Sequence, residues 1–237
     1  MTLLHLANGI FHTLRICVPT LVESALGTLT EATCDARLAS WSDALLAYAE
    51  VKLEVEGLEH VPPGEALVVM SNHQSHYDIP VLFQALRPMR LRMVAKKELF
   101  RIPIWAPAMR VAGFVELSRG DRSAAIESLS SARASIQRGT SIWLAPEGTR
   151  SPTGKLGSFK KGGFHLASEA GARVLPVTVD GTRHVLPAKG ARVTNGQRVR
   201  VVVHPPVTIG AFEEPQRDEL MTQVREAIAS ALPADAR

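Results

Sequence analysis

The stretch Ala66-Leu67-Val68-Val69-Met70-Ser71-Asn72-His73-Gln74-Ser75-His76-Tyr77-Asp78 passes from an apolar run into a polar loop, and the helical-looking Ile79-Pro80-Val81-Leu82-Phe83 follows. A short apolar run, a loop and a helix in that order form the repeating unit of a sheet covered by helices. The pattern recurs downstream. Strands are expected at Val51–Val55, Ala66–Met70, Leu91–Ala95, Gly113–Leu117, Ser141–Leu144, Val174–Val179 and Arg198–Val203. The clearest helix between them spans Arg122 to Gln137, with Asp121 as its N-cap, Ile126, Leu129 and Ile136 on its buried side, and Gly139 as its stop. A final helix near Arg217 to Leu232 carries Leu220, Val224, Ile228 and Leu232 at a spacing of four, which docks it on the body. The expected fold class is α/β, a single central mixed sheet flanked by helices.

Upstream, Leu3 to Leu29 is strongly apolar, but His5, Asn8, His12, Arg15, Pro19 and Glu23 recur at three- and four-residue steps along one helical stripe. Placing Arg15 at a bilayer centre costs about 2.5–3.5 kcal/mol, so a helix lying in the interface is preferred to one that crosses. Pro19 introduces a kink. A second helix, about Asp35 to Tyr48, carries Leu38, Trp41, Leu45 and Tyr48 on one face, and Trp41 and Tyr48 suit a membrane interface. These stripes equally fit a hairpin packed on the protein's own core. Residues 1–50 are thus read as an N-terminal two-helix membrane-associating hairpin and residues 51–237 as one α/β domain. No Lys or Arg precedes the apolar stretch, which disfavours a secretory signal. The expected location is the cytoplasmic face of the membrane, peripheral or monotopic.

Composition narrows the partners. A chain of 237 residues with 46% hydrophobic and 21% charged residues buries one substantial core. Its net charge of +4 favours an anionic partner, while only 5% aromatics and no long basic run argue against nucleic acid. Two cysteines, Cys17 and Cys34, provide neither a disulfide framework nor a zinc set.

Two polar loops carry the chemistry. With His73 in the loop and Asp78 in the first helical turn, the carboxylate folds back on one imidazole nitrogen and leaves the other to accept a proton. A substrate hydroxyl then becomes the nucleophile. Ser75-His76-Tyr77-Asp78 equally reads as a capping box, in which Asp78 only caps the helix. No metal is expected at His73 and His76, since no further His or Cys completes a coordination sphere. The second loop, Ala145-Pro146-Glu147-Gly148-Thr149-Arg150-Ser151, follows the strand Ser141–Leu144, and Phe159-Lys160-Lys161-Gly162-Gly163 comes shortly after. Arg150 for bidentate phosphate contact, Lys160 and Lys161 as point charges, and glycines that admit a close anion imply a phosphate site. Glu147 to Arg150 alone also reads as a polar turn with an internal ion pair.

Taken together, these blocks resemble the lysophosphatidic acid acyltransferase family of glycerolipid acyltransferases. That family is marked by Asn-His-x-Ser-x-x-Asp, here Asn72 to Asp78, and by Pro-Glu-Gly-Thr-Arg, here Pro146 to Arg150. Gly113 to Arg119 and Val174 to Gly181 resemble its second and fourth blocks. The second block usually has an acidic residue directly before its arginine, where Ser118 precedes Arg119 here, and the third usually has Phe where Ala145 stands. The resemblance implies a fatty acyl transfer from acyl-CoA or acyl-carrier protein to the free sn-2 hydroxyl of lysophosphatidate, giving phosphatidate, with no cofactor. It implies His73 as general base, Asp78 as its orienting partner, and Arg119, Glu147, Gly148 and Arg150 around the phosphate and glycerol of the acceptor, with Thr149, Lys160 and Lys161 completing the candidate substrate-binding set. Another lysolipid or glycerol 3-phosphate as acceptor, a hydrolase, or a lipid-binding protein without turnover are the alternatives.

Overall fold

The computed structural model describes residues 2–117, 122–209 and 216–237. Two helices, α1 (Thr2–Ala25) and α2 (Glu31–Tyr48), lead into the strand β1 (Lys52–Glu56). Then come β2 (Val68–Ser71), α3 (Asp78–Ala85), β3 (Leu91–Lys96), α4 (Trp105–Val111), β4 (Val115–Leu117), α5 (Arg122–Gln137), β5 (Ser141–Leu144), α6 (Gly162–Ala170), β6 (Val174–Asp180), α7 (Thr182–Val185), β7 (Arg198–Val203) and α8 (Gln216–Ser230). Each strand expected from the sequence forms: Ser141–Leu144 and Arg198–Val203 have the expected bounds, and the ends of the others differ by at most two residues. Among the described residues they make one sheet in the order β1-β7-β6-β2-β5-β3-β4. It is mixed, because β7 runs antiparallel to β6 and carries β1 with it in parallel, while β2, β3, β4, β5 and β6 share one direction.

Burial follows position in the sheet. Every residue of the central β2 is buried, as are six of the seven in β6, whereas the edge strand β1 alternates exposed and half-buried. One apolar cluster, with Leu82, Leu86, Met93, Met109 and Val177, lies under α2, α3 and α4. The other, with Phe164, Ile136, Val224 and Ile228, lies under α5, α6 and α8. Gly163 lets α6 approach closely, since a Cβ there would stand 2.6 Å from Leu144 Cδ1.

The N-terminal helices depart from simple amphipathic expectation. α2 begins four residues earlier than the apolar pattern suggests because Thr30 caps it, accepting from the Thr33 N–H at 3.1 Å. Its Trp41 packs against the core and donates to Thr13 Oγ1 at 3.1 Å. Tyr48 stays 38% exposed. Polar groups of α1 turn towards the protein: His5 meets Asn195 at 2.9 Å, and Glu23 pairs with Arg37 at 2.5 Å. The outward side is apolar, with Leu3, Leu6, Phe11, Val18, Val22 and Leu26 between 47% and 77% exposed. Among the described residues no helix is long and apolar enough to cross a membrane.

The helix α5 has the expected span, whereas its expected N-cap Asp121 lies outside the described residues, as does Arg119. Three helices went unforeseen: α4, with Pro107 inside it, α6, which opens on two glycines, and the single turn α7. Because β2, β5 and β6 are neighbours with a common direction, the loops leaving their C-terminal ends converge at one edge of the sheet. Open α/β sheets build ligand sites there.

Candidate active site

The loop after β2 is anchored by the side chain of Asn72. Its Nδ2 donates to Val179 O and its Oδ1 accepts from the Val179 N–H, both at 2.8 Å, so the amide continues the ladder between β2 and β6. Ser71 Oγ donates to Asn72 O and accepts from Trp143 Nε1, each at 2.9 Å. The Trp143 ring stands edge-on to the His73 imidazole, with centroids 5.9 Å apart.

His73 Nδ1 lies 2.6 Å from Asp78 Oδ2. That oxygen also accepts the N–H groups of Gln74 at 2.8 Å and Ser75 at 3.0 Å, and Asp78 Oδ1 accepts from Thr182 Oγ1. Asp78 is fully buried and accepts from every side, so the proton of the pair sits on His73 Nδ1. The two readings of Asp78 left open by spacing meet in one carboxylate: it takes the Ser75 N–H as a capping box does and holds the imidazole as well. His73 is half-buried, and Nε2 has no hydrogen-bond partner among the described residues. It is free to accept a proton.

The loop after β5 locks onto this one. Glu147 Oε1 accepts the His73 N–H at 2.8 Å, Glu147 Oε2 accepts the Gly157 N–H at 2.7 Å, and the Ser151 N–H donates to His73 O at 2.7 Å. Burial raises the Glu147 pKa, while the two backbone donors and the nearby His73 pull the other way. Gly148 takes a left-handed φ of +70°, and a Cβ there would stand 3.2 Å from Lys160 Nζ, which puts that ammonium over the turn. The expected ion pair between Glu147 and Arg150 does not form among the described contacts, since the carboxylate faces backbone donors instead.

Arg150 is half-buried, with no hydrogen bond or ion pair among the described residues. Its charge still acts on the neighbouring loop. The His76 pKa is lowered from 6.5 to about 4, first by crowding around the ring, though its outer edge is exposed, then by Arg150 and His73, with Lys96 adding to the effect and Asp78 opposing it. His73, Asp78, Glu147, Gly148, Arg150 and Lys160 therefore lie around one edge of the sheet. Thr149 and Lys161 are exposed, and no contact ties them to His73. Sequence reasoning missed Thr182, Gly157, Trp143 and Lys96. Thr182 directly follows the Val174–Gly181 block, which was the available signal.

The family model described as Acyltransferase matches residues 52–180, more than half of the chain. The chain belongs to the acyltransferase family. Among its relatives, the chloroplastic 1-acyl-sn-glycerol-3-phosphate acyltransferase LPAT1 of Arabidopsis thaliana is 35% identical over 186 residues, covering 78% of this chain and 50% of that one. The 1-acyl-sn-glycerol-3-phosphate acyltransferase alpha of Homo sapiens is 33% identical over 180 residues, covering 75% and 62%. The chain spans about half the length of the first curated relatives it matches. The crystal structure of the 1-acyl-sn-glycerophosphate (LPA) acyltransferase PlsC from Thermotoga maritima superposes with a TM-score of 0.80 at 28% identity, covering 98% of both chains. The acyltransferase fold thus extends over α1 and α2 as well as the sheet.

Proposed function

We propose that the protein is a 1-acyl-sn-glycerol-3-phosphate acyltransferase that works at a lipid surface. The observation that carries the chemistry is a half-buried imidazole with Nδ1 held by a buried carboxylate and Nε2 open, beside a guanidinium with no internal partner. Lysophosphatidate binds with its phosphate on Arg150, Lys160 and Arg119, and its free sn-2 hydroxyl against His73 Nε2. Acyl-CoA or acyl-carrier protein presents the thioester. His73 takes the hydroxyl proton as the oxygen attacks the carbonyl carbon, Asp78 stabilises the imidazolium, and the carbon–sulfur bond breaks. The proton then passes to the departing thiolate, and phosphatidate and a free thiol result.

Glu147 enters this mechanism as a positioning residue, because both its oxygens already hold backbone donors of the two loops. Residues 1–50 form the membrane-seating hairpin in this reading. Its support is the inverted polarity of α1, whose apolar face looks outward, as suits a helix lying in the headgroup region at the cytoplasmic face.

Labelled acyl-CoA with lysophosphatidate, glycerol 3-phosphate and other lysolipids as competing acceptors tests the proposal. The expected product is phosphatidate, with turnover lost in His73→Ala and the acceptor KM raised in Arg150→Ala while stability is kept. Thiol release that needs no acceptor would mark a hydrolase instead, and near-normal transfer by His73→Ala would sink the mechanism.

A further inference from the structure

Ile104 holds an unusual backbone, with φ +67° and ψ −50°, and the Trp105 N–H donates to Pro103 O at 2.7 Å. This is a γ-turn of the strained hand at a β-branched residue, which avoids positive φ. Strain of that kind persists where the surroundings or the function require it, yet the interior does not claim the side chain. Ile104 is 42% exposed, Ile102 38% and Val111 42%. Ile104, Pro107 and Val111 stand at i, i+3 and i+7, so they share one outer face of α4, while Ala106, Ala108 and Met109 are buried.

Charge surrounds this apolar tip. Lys96, Lys97 and Arg101 are exposed, and none makes an ion pair among the described residues. Glu98 is an acid in the same turn, and Arg110 is engaged with Glu116 at 3.2 Å. Location adds the third element. β3 runs parallel to β5, so its end at Lys96 opens at the same sheet edge as the His73 and Arg150 loops, and Lys96 acts on His76. On its other side α4 packs against α1, the helix with the outward apolar face.

We propose that the turn at Ile104 is a lipid-inserting tip: Ile102, Ile104 and Val111 enter an anionic lipid surface, with Lys97 and Arg101 at the headgroups, and seat the mouth of the active site on it. The inference rests on the reading of the acceptor as a membrane lipid. Aliphatic points backed by cations match a negatively charged bilayer, where the side chains reach the acyl region and the ammonium and guanidinium groups remain among phosphates. The strained turn directs Ile104 away from the protein, and lipid is the medium that accepts it.

The test uses the full chain and vesicles of phosphatidylcholine with phosphatidylglycerol, plain or with brominated acyl chains. An environment-sensitive thiol label at Ile102→Cys is compared with one at Glu226→Cys on α8, with Cys17 and Cys34 buried and left in place. The 102 label is expected to shift to the blue and be quenched by brominated lipid, and the 226 label to do neither. Ile104→Gly, which releases the strain, should lower vesicle affinity about tenfold. It should leave turnover of a water-soluble short-chain acceptor unchanged. Lys97→Gln with Arg101→Gln should weaken binding to anionic vesicles and spare neutral ones. An unquenched 102 label on protein that still sediments with vesicles overturns the tip and leaves the proposed activity standing, as would quenching only on addition of a second protein. Absence of sedimentation overturns the tip and the membrane seat together, and transfer to the soluble acceptor then reports on the chemistry alone.

Discussion

Thr182 Oγ1 donates to Asp78 Oδ1 across 104 positions of sequence, and both residues are fully buried. With Oδ2 already shared by His73 and two backbone N–H groups, this hydroxyl fixes the rotation of the carboxylate and through it the imidazole. Thr182→Val removes the donor at nearly constant volume. Loss of a hydrogen bond to a charged group costs about 1.5–3 kcal/mol. On that scale kcat should fall roughly tenfold or more with KM nearly unchanged, and Thr182→Ser should recover most of it. A valine variant with normal kcat would remove Thr182 from the positioning chain.

Glu147→Gln replaces one acceptor oxygen with an amide donor, so either the His73 or the Gly157 N–H must face a second donor. The expected result is a stability loss of about 1–3 kcal/mol, the cost of a buried donor left without a partner. Activity should fall with it, because the His73 backbone is one of the groups released. Denaturant titration together with steady-state kinetics checks both, and a variant with unchanged midpoint and turnover would contradict the interlock.

Two glycines near Glu147 should respond differently to alanine. At Gly157 the new Cβ meets Glu147 Oε2 at 2.8 Å, so the carboxylate that joins the loops has to shift. At Gly148 the neighbour is the flexible end of Lys160 at 3.2 Å, but the φ of +70° adds strain of about 1 kcal/mol. Gly157→Ala is therefore expected to depress kcat, and Gly148→Ala to lower the melting temperature with a smaller effect on kcat. Equal kinetic defects in the two would argue against this distinction.

His76 gives a pH signature. Its folded pKa is lowered to about 4 from 6.5. An unfolded chain takes up a proton below about 6.5 that the folded chain refuses, so the stability contribution is complete above that pH and is lost as pH falls towards 4. The exposed edge of the ring reduces the effect. His76→Gln should therefore lose less stability than the parent between pH 7 and pH 5 in urea unfolding. Parallel losses would show that this imidazole is not depressed.

Periodicity accounts for what was legible. The strands and the helices α5 and α8 announce themselves because burial selects apolar residues at a fixed repeat. α4 and α6 stayed hidden behind Pro107 and the pair Gly162-Gly163, residues that usually end helices. At α6 the glycine serves packing, since Gly163 brings the helix onto Leu144 and Met70. The polarity of α1 was legible only as a stripe: spacing showed that polar residues share a face, and contacts with Asn195 and Arg37 decided that this face turns inward.

The order of residues alone pointed to the His73–Asp78 pair, because the two are five positions apart and a loop with one helical turn brings them together. It also determined the α/β class and the family. Tertiary structure decided how Glu147 and Thr182 serve that pair, 74 and 104 positions away from His73 and Asp78 respectively. Such partners leave no periodic trace: a side chain that satisfies one distant donor or acceptor is set by which strands lie side by side, and strand order is a property of the folded sheet.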